Sequence, residues 1–474
     1  MKRWSWYALT LFVSFAAAAQ DPAIVGRWGA VFPWKGVAIH AHVLPDGRVA
    51  TWERKDSVLT TETWLWTPST GAFTMAMNNF ASEFCSGHTF LGDGRLLVFG
   101  GHHFRDGFGE KTTNFFDWRT NSWTKGPDMN AGRWYPTALM LRNGDVLVLG
   151  GSIAGGQEAR PNALPQVWQA STNSYRNLTG AIQAVPLYPM MLLAPDGRAF
   201  MVGPNAETQF LTTSGAGDWQ EGPDTNDGFR DYGTAVEFRP GRILLAGGGS
   251  PTATAETIDL NVAGAKWVPT GSMSVARRQL NGTILPDGTV LVTGGSSAPG
   301  FNNANGSVFT AEIWNPSTGK WSTVASQTVR RLYHSTAVLL HDGRVLSAGG
   351  GMPPSPQGND SDHRDAQIYS PGYLFRGERP RILAAPQSVT YGQRFAISVP
   401  NASSVVRATW IRLSSVTHAF NQSQRFNELG FTVTGDTQLT VTAPANAQSP
   451  PGPYLLFVLN ARGVPSVGRV VFIR

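Results

Sequence analysis

Cysteine, tyrosine and histidine recur in this sequence at a fixed distance from a repeated turn. The position eight residues before the turn holds Cys85, Tyr135, Tyr188, Tyr232 and His334, and Tyr333 stands one residue before His334. Phenol oxygens and imidazole nitrogens form a donor set that suits copper(II), whereas zinc sites more often use several histidines or cysteines. Tyrosine is also redox-active. If equivalent positions converge in the fold, these side chains predict a redox-active metal site.

Cys85 is the single cysteine of the 474 residues. A lone cysteine can be a small buried hydrophobic residue, and the composition leaves this alternative open. Cys85 and Tyr135 occupy equivalent positions of adjacent repeats, so the thiol is expected beside the phenol ring. A thioether bond between the two would account for an unpaired cysteine in an oxidising compartment. For Tyr188 and Tyr232 we favour a simpler role, in which their rings fill a central channel.

The repeated turns predict the fold. They lie 44 to 55 residues apart, at Asp46-Gly47, Asp93-Gly94, Asn143-Gly144, Asp196-Gly197, Pro240-Gly241, Asp287-Gly288 and Asp342-Gly343. Asp-Gly or Asn-Gly between apolar runs indicates a hairpin, expected here as a type I′ turn with both central residues at positive φ. A Gly-Gly pair, a third strand and a tryptophan-marked fourth strand usually follow. Seven such repeats predict a seven-bladed kelch-type β-propeller over residues 21–376 in an all-β chain.

The two ends of the chain complete this architecture. The seventh repeat lacks its tryptophan-marked strand, and residues 26–29 have the matching pattern, so we expect the N-terminal segment to close the ring. Residues 377–474 lack the repeat and alternate in polarity, which predicts a separate immunoglobulin-like (early-set) β-sandwich. Residues 1–20 combine two basic residues with a short apolar stretch and small residues, which predicts a signal peptide and a secreted or periplasmic protein.

Composition excludes some partners. The net charge of +6 is spread along the chain without a basic block, which argues against nucleic-acid binding. After the N-terminal segment, no stretch of 18 apolar residues is found, so no membrane span is expected. We expect a monomer that acts on a small molecule.

Four stretches resemble the copper radical oxidases, the family that includes galactose oxidase and glyoxal oxidase. They are Phe84-Cys85-Ser86-Gly87, Arg133-Trp134-Tyr135-Pro136-Thr137, Arg331-Leu332-Tyr333-His334-Ser335, and Val416-Thr417-His418 followed by Gln424-Arg425. The resemblance implies a Cys85–Tyr135 thioether that stores an oxidising equivalent as a radical. It also implies one copper ion held by Tyr135, Tyr333, His334 and His418, with Tyr333 accepting the substrate proton and dioxygen leaving as hydrogen peroxide. His418 lies outside the repeat, so a loop of the C-terminal domain would have to deliver it.

Departures from galactose oxidase concern the substrate. Segment 150–153 lacks the tryptophan that galactose oxidase stacks on its cross-linked pair, and segment 187–189 lacks its sugar-binding arginine. Both segment 187–189 and the motif around Trp134 look more like those of glyoxal oxidases, so small hydrated aldehydes or primary alcohols are the expected substrates. Phe301 is expected either to line the pocket or to cover apolar surface. A catalytically silent, secreted propeller that binds a partner is the alternative function.

Seven further histidines match no ligand position of the family and are expected to be structural or exposed. They are His40, His42, His88, His102, His103, His341 and His363. Among them the pair His102-His103 is the weak candidate for an additional metal site.

Overall fold

The computed structural model describes residues 20–56, 58–352, 358–446 and 449–474. The predicted signal peptide therefore lies outside the described residues, apart from Gln20. The regular structure of the described chain is almost entirely β-strand, in sheets that are antiparallel except for one short parallel pairing. The helices are short: Pro22–Val25 is α-helical, and Gly156–Glu158, Ala304–Gly306, Gly372–Phe375 and Ala402–Ser404 form 3₁₀ turns. Within these residues no helix has the length and apolar character needed to cross a membrane.

Seven antiparallel sheets, each built on four main strands, follow one another along the described chain, and three of them gain additional short strands. Sheet 1 contains His40–Val43, Val49–Trp52, Thr61–Trp66 and Phe73–Asn78, and sheet 2 contains Gly87–Phe90, Leu96–Phe99, Thr113–Asp117 and Ser122–Lys125. Sheet 3 contains Trp134–Met140, Val146–Ala154, Gln166–Gln169 and Ser174–Asn177, and sheet 4 contains Met190–Leu193, Ala199–Gly203, Gln209–Thr212 and Asp218–Glu221. Sheet 5 contains Thr234–Arg239, Arg242–Ala246, Ala255–Asp259 and Val268–Pro269, and sheet 6 contains Arg278–Ile284, Val290–Ser296, Ala311–Asn315 and Lys320–Val324.

Sheet 7 combines the two ends of this repeated region. Its strands are Ser335–Leu339, Val345–Gly349, Asp365–Ser370 and the N-terminal Arg27–Trp28, with Phe32–Pro33 also paired to the third strand. In the N-terminal pairing, Trp28 lies opposite Tyr369. Two smaller pairings complete the region: His102–His103 with Arg105–Gly109, and Arg160–Pro161 with the second strand of sheet 3.

The first strand of each sheet is almost wholly buried, and first strands of neighbouring sheets contact one another. Contacts join sheet 3 to sheets 2 and 4, and they join sheet 6 to sheets 5 and 7. The first strand of sheet 7 also contacts that of sheet 1, which brings the end of the repeated region back to its beginning. Residues at the start of the first strands are therefore brought into one central region.

The turn between the first and second strands differs from the sequence expectation. Six of the seven glycines, from Gly47 to Gly343, donate an N–H to the carbonyl three residues earlier, as Gly47 does to Leu44. These glycines have positive φ, but the Asp or Asn before each of them does not. The turn is therefore a type I turn followed by a left-handed glycine, and the predicted type I′ turn was wrong. In five of the six, the aspartate side chain stabilises the turn by accepting the N–H two residues ahead.

The Gly-Gly pairs support the loop that begins the next sheet. Gly101 donates its N–H to Arg133 O at 3.0 Å, and Gly295 donates to Arg331 O at 2.7 Å. A Cβ on Gly100 would lie 2.2 Å from Arg133 O, so no larger residue fits without moving backbone. Glycine is therefore required there by close approach of two sheets.

Buried arginine side chains also support the loops that begin the sheets, by donating hydrogen bonds to glycine carbonyls. The side chains of Arg133, Arg230, Arg277 and Arg331 donate to the carbonyls of Gly150, Gly247, Gly294 and Gly349, respectively. Arg277 also donates to Thr310 O at 2.9 Å and forms a buried ion pair with Glu312 at 2.6 Å. Each arginine lies two or three residues before the residue that begins its sheet, namely Tyr135, Tyr232, Gln279 or His334, so it fixes the loop carrying that residue.

The remaining strands form two C-terminal sheets. One contains Ser388–Val389, Val405–Arg412, Phe426–Leu429, Gly452–Asn460 and Arg469–Ile473, and the other contains Arg394–Ser398, Phe431–Val433 and Gln438–Thr442. Their facing side chains form a separate apolar cluster around Trp410 and Leu456. The opposite side, with Ile411 and Phe457, joins the apolar core of sheets 1, 2, 5, 6 and 7.

A hairpin that connects two neighbouring strands of the first C-terminal sheet, Val405–Arg412 and Phe426–Leu429, reaches the centre of the molecule. Ser415–Thr417 pairs with Phe420–Asn421 and with the first strand of sheet 1, where His40 lies opposite Thr417. Beyond the hairpin, the Gln422 side chain accepts the N–H groups of His88 and Ala138, both at 3.1 Å. The Gln424 side chain accepts the N–H of Ile284 at 2.9 Å. Segment 415–425 thus satisfies backbone donors on the inner edges of several sheets.

We predict that Arg277→Leu lowers the free energy of unfolding by about 3–5 kcal/mol, because it leaves the buried Glu312 carboxylate without its ion-pair partner. Denaturant unfolding followed by tryptophan fluorescence measures the change. Arg242→Ala is the control: its pair with Asp259 at 2.8 Å is partly exposed, and its loss should cost about 0–1 kcal/mol. Equal losses in the two variants would contradict the structural role given to Arg277.

Candidate metal and radical site

Six residues that begin the sheets share a rare backbone conformation. Cys85, Tyr135, Tyr188, Tyr232, Gln279 and His334 have φ between 44° and 65°. Left-handed backbone costs an L-residue on the order of 1–3 kcal/mol and persists only where the surroundings impose it. Here the amides are linked from sheet to sheet: Tyr135 N donates to Cys85 O at 2.9 Å, and Tyr188 N donates to Tyr135 O at 2.9 Å. These links bring the side chains of successive sheets together.

Cys85 and Tyr135 pack together in one buried cluster. Burial raises the pKa of the Cys85 thiol well above its usual value, and a hydrogen bond with the Tyr135 side chain opposes this only in part. The Tyr135 ring is covered by two others. Trp134 stacks on it with ring centroids 3.8 Å apart and planes inclined by 13°, and Tyr188 stacks at 4.4 Å.

Tyr333 and His334 come from the loop that begins sheet 7. The Tyr333 hydroxyl forms a short hydrogen bond with the Tyr135 hydroxyl. His334 Nδ1 lies 2.9 Å from the carbonyl oxygen of Gly351, which can only accept, so Nδ1 bears the proton. His334 Nε2 therefore has a free lone pair, and it has no hydrogen-bond partner among the described residues.

His418 is delivered by the hairpin of the C-terminal region, with φ of 48°. Its Nδ1 lies 2.7 Å from the Thr417 hydroxyl, which itself donates to Ile39 O at 3.0 Å. The hydroxyl must then accept from Nδ1–H, which leaves a lone pair on His418 Nε2. That atom is buried and has no hydrogen-bond partner in the described part of the chain. The His418 ring centroid lies 4.5 Å from that of Tyr135, 4.9 Å from that of His334 and 5.3 Å from that of Tyr333.

Burial sets the protonation states of these four side chains. It lowers the pKa of His334 to about 3 and that of His418 well below its ordinary value, so both imidazoles are neutral near pH 7. It raises the pKa values of Tyr135 and Tyr333 well above 10, so both phenols keep their protons while no cation is bound. A cation held between them would favour the ionised phenolate.

The arrangement fits a copper ion. Two neutral imidazoles present unpartnered Nε2 lone pairs beside two phenol oxygens, which is a nitrogen and oxygen donor set of the kind copper(II) accepts. Within the described residues, no group of three or more histidine, cysteine or acidic side chains is placed to hold a metal ion. The pair His102-His103 belongs to no such group: His103 Nδ1 bonds Glu110 at 2.6 Å, and His102 faces Asp56 at 3.2 Å.

A cavity of about 280 Å³ opens beside Tyr135 and His418. Its other lining residues are mostly apolar or aromatic: Pro186, Leu187, Tyr188, Met190, Pro204, Phe229, Asp231, Tyr232 and Phe420. The one carboxylate, Asp231, is paired with Arg278. Phe301 is not among the residues that line this cavity; it packs on Tyr333 with centroids 4.4 Å apart and on Tyr232 at 5.9 Å.

Two features around this site were missed from the sequence. Trp134 was seen as part of a motif, but its stacking on Tyr135 was not expected. His40, His42 and His88 were expected to be structural or exposed, and all three are fully buried beside the site. The alternation of His40 and His42 on one strand, with His88 three residues after Cys85, was the available signal.

Comparisons with known proteins identify the family to which this chain is related. Residues 379–473 match the galactose oxidase-like early set domain, and residues 250–355 match the glyoxal oxidase N-terminus. A galactose oxidase of Gibberella zeae is 30% identical over 98% of this chain and 72% of its own length. An aldehyde oxidase of Vitis pseudoreticulata is 30% identical over 82% of this chain and 81% of its own.

A solved structure shares the fold along nearly the whole chain. It is described as a novel fungal alcohol oxidase with catalytic diversity among the AA5 family, in complex with copper, and it superposes with a TM-score of 0.85 at 25% identity. The match covers 95% of this chain and 99% of the other. The chain is therefore an oxidase that belongs to the copper radical oxidase family, with galactose oxidase and the glyoxal and aldehyde oxidases.

Proposed function

We propose that this protein oxidises small hydrated aldehydes or primary alcohols with dioxygen, releasing hydrogen peroxide, through one copper ion and a Cys85–Tyr135 thioether. The proposal depends on the buried Nε2 atoms of His334 and His418, which have no hydrogen-bond partner in the described residues. They lie beside the hydroxyls of Tyr135 and Tyr333, which are hydrogen-bonded to each other. Buried polar atoms in native proteins are normally paired, so two such lone pairs beside two phenols favour a bound cation.

The domain architecture is also part of the proposal. Seven sheets in sequence, contacts between their first strands and the N-terminal strand in sheet 7 support a closed seven-bladed propeller over residues 21–376. The separate apolar cluster of the last two sheets supports an immunoglobulin-like domain over residues 377–474. We further propose export to the periplasm or the medium, on the signal-like composition of residues 1–20.

Thioether formation requires an oxidant. The S–H bond of Cys85 and one ring C–H bond of Tyr135 break, and one C–S bond forms. The two electrons and two protons released reduce dioxygen to hydrogen peroxide. Packing of Cys85 against Tyr135 supports this step, because contact in the ground state removes most of the entropic cost of bringing the two groups together.

The side chains divide the oxidation of a primary alcohol between them. Tyr333, as the phenolate, accepts the substrate hydroxyl proton, and oxidised Tyr135 takes a hydrogen atom from the carbinol carbon. Tyr135, Tyr333, His334 and His418 would hold a copper ion, which would supply a coordination position for the substrate oxygen and serve as the one-electron acceptor. The balanced reaction converts RCH₂OH and O₂ to RCHO and H₂O₂; a hydrated aldehyde gives the acid.

Trp134 is proposed to take the part of the tryptophan that galactose oxidase places over its cross-linked pair. It stacks on Tyr135 at 3.8 Å, although it comes from the residue next in sequence rather than from segment 150–153. A ring in this position shields the oxidised phenol from water and lets the π-systems interact.

The cavity supports a small or apolar substrate over a sugar. Most of its lining groups offer no hydrogen bond to a ring of hydroxyls, and its carboxylate is already paired with Arg278. Sugar hydroxyls buried there would lose their bonds to water without replacement. Small aldehydes and simple primary alcohols avoid this cost.

We predict that copper(II) in air joins the peptides containing Cys85 and Tyr135 into one species, with the summed mass less two hydrogen atoms. Mass spectrometry of a digest measures this. Cys85→Ser is the control and should give separate peptides. Unlinked peptides in fully copper-loaded wild type would contradict the radical-oxidase proposal and favour a catalytically silent binding protein.

We predict that Tyr333→Phe retains copper but lowers kcat by about 10²–10⁴-fold, because the base for the substrate proton is lost. Peroxide release, measured alongside the copper content, tests this. Tyr391→Phe, in the C-terminal region, removes a phenol away from the site and should leave kcat unchanged. Wild-type turnover by Tyr333→Phe would remove its role as base.

We predict that kcat/KM for glyoxal or methylglyoxal exceeds that for galactose by more than about tenfold, because the cavity cannot satisfy the sugar hydroxyls. Peroxide assays over both aldehydes, glycerol and galactose measure the ratio. Comparable values for galactose would show that the substrate assignment is wrong, while leaving the metal and thioether chemistry standing.

A further inference from the structure

Three fully buried histidines lie against the proposed copper centre and take no part in the mechanism above. His40 and His42 are on the first strand of sheet 1, and His88 is on the first strand of sheet 2. Burial lowers the pKa values of all three, so each is a neutral imidazole with one N–H donor and one lone pair. Trp52 stacks on the rings of His40 and His42, at 5.1 Å and 4.4 Å.

From Cys85 to Ser415, the hydrogen bonds of these histidines can run in one direction only. The backbone N–H of Cys85 donates to His40 Nε2 at 3.0 Å, so the His40 proton is on Nδ1. His40 Nδ1 then donates to His88 Nε2 at 3.0 Å, and His88 Nδ1 donates to the Ser415 hydroxyl at 2.6 Å. Ser415 Oγ also lies 2.9 Å from His42 Nδ1 and 3.5 Å from the carbonyl oxygen of His88. The chain Cys85–His40–His88–Ser415–His42, the histidine array, is therefore continuous.

At Cys85, the His40 side chain takes the place of the backbone carbonyl that accepts the equivalent amide in other sheets. The amides of Tyr135 and Tyr188 are accepted by the carbonyl of the equivalent residue in the preceding sheet, and Gln279 N donates to Tyr232 O in the same way. The equivalent residue before Cys85 is Ala38, and its carbonyl accepts the Thr336 hydroxyl at 3.0 Å. The Cys85 amide is held by an imidazole instead.

The other end of the array lies on the hairpin that carries His418. Ser415 begins that hairpin and is paired with His42 across the two strands. The His40 and His418 rings also contact each other edge to face, with centroids 6.1 Å apart. One set of hydrogen bonds thus joins the thiol-bearing residue of sheet 2 to the C-terminal segment that supplies a proposed copper ligand.

We propose that His40 and His88 are positioning residues for the copper radical centre. They hold Cys85 in the left-handed conformation that places its thiol on Tyr135, and through Ser415 they hold the His418 hairpin in the same register. The inference rests on the proposed function. Its consequence is that the histidine array controls how fast the Cys85–Tyr135 bond forms after copper binds, without itself binding the metal.

The test compares cross-linking rates in full-length, metal-free proteins after copper(II) is added in air, by mass spectrometry of digests taken over time. His40→Leu should slow cross-linking roughly ten- to a hundredfold while copper content is retained, because a small misplacement of a reacting group has an effect of this size. His40→Gln should recover most of the rate, since its amide can accept from Cys85 and donate to His88. Leu456→Ala, in the separate apolar cluster of the C-terminal sheets, controls for loss of stability alone and should cross-link at the wild-type rate once folded.

A separate measurement avoids reliance on a folded His40→Leu protein. Nitrogen-15 NMR of the metal-free wild type should show protons on Nδ1 of His40 and His88. The opposite tautomer at His40 would overturn the array. Equal cross-linking rates for His40→Leu and wild type, or equally slow rates for the Leu and Gln variants, would overturn the positioning role. Absence of any cross-link in wild type would instead count against the proposed function.

Discussion

Backbone groups at the buried centre need hydrogen-bond partners, and much of the structure is arranged to provide them. The first strands expose inner edges toward one another, where an unpaired N–H would cost free energy. Segment 415–425 provides many of these partners. Its hairpin pairs with sheet 1, the Gln422 side chain accepts backbone N–H groups of sheets 2 and 3, and the Gln424 side chain accepts one of sheet 6. The same segment carries His418. One hairpin therefore both pairs with the inner edges of the sheets and supplies a proposed copper ligand.

The same constraint explains why left-handed residues are tolerated at the start of six sheets. Each is held by an amide link to a neighbouring residue, by a buried arginine or by a glycine whose lack of a Cβ allows close approach. Strain of this kind persists only where such supports over-determine the backbone. Nε2 of His334 and Nε2 of His418 are among the buried side-chain atoms that lack a hydrogen-bond partner in the described residues, and both belong to rings that pack on Tyr333.

Local patterns were the most predictable part of the molecule. The glycines of the repeated turns and the strands that flank them follow from apolar runs and from backbone preferences within a few residues. The turn type did not follow, because Asp-Gly suits both a type I′ turn and a type I turn with a left-handed glycine. The stacking of Trp134 and the hydrogen bonds of the histidine array were not predicted either, because their partners lie in other sheets or depend on how a loop bends.

By itself, the sequence determined the repeat, the residues at its repeated position and the family motifs, since these depend on composition and on spacing along the chain. Only the tertiary structure decided which side chains meet. It supplied the tautomers of His334 and His418, because a protonated nitrogen is identified by the carbonyl or hydroxyl facing it. It also joined His40 to Cys85 across 45 residues and His88 to Ser415 across 327, contacts that exist only after the sheets and the C-terminal hairpin have packed.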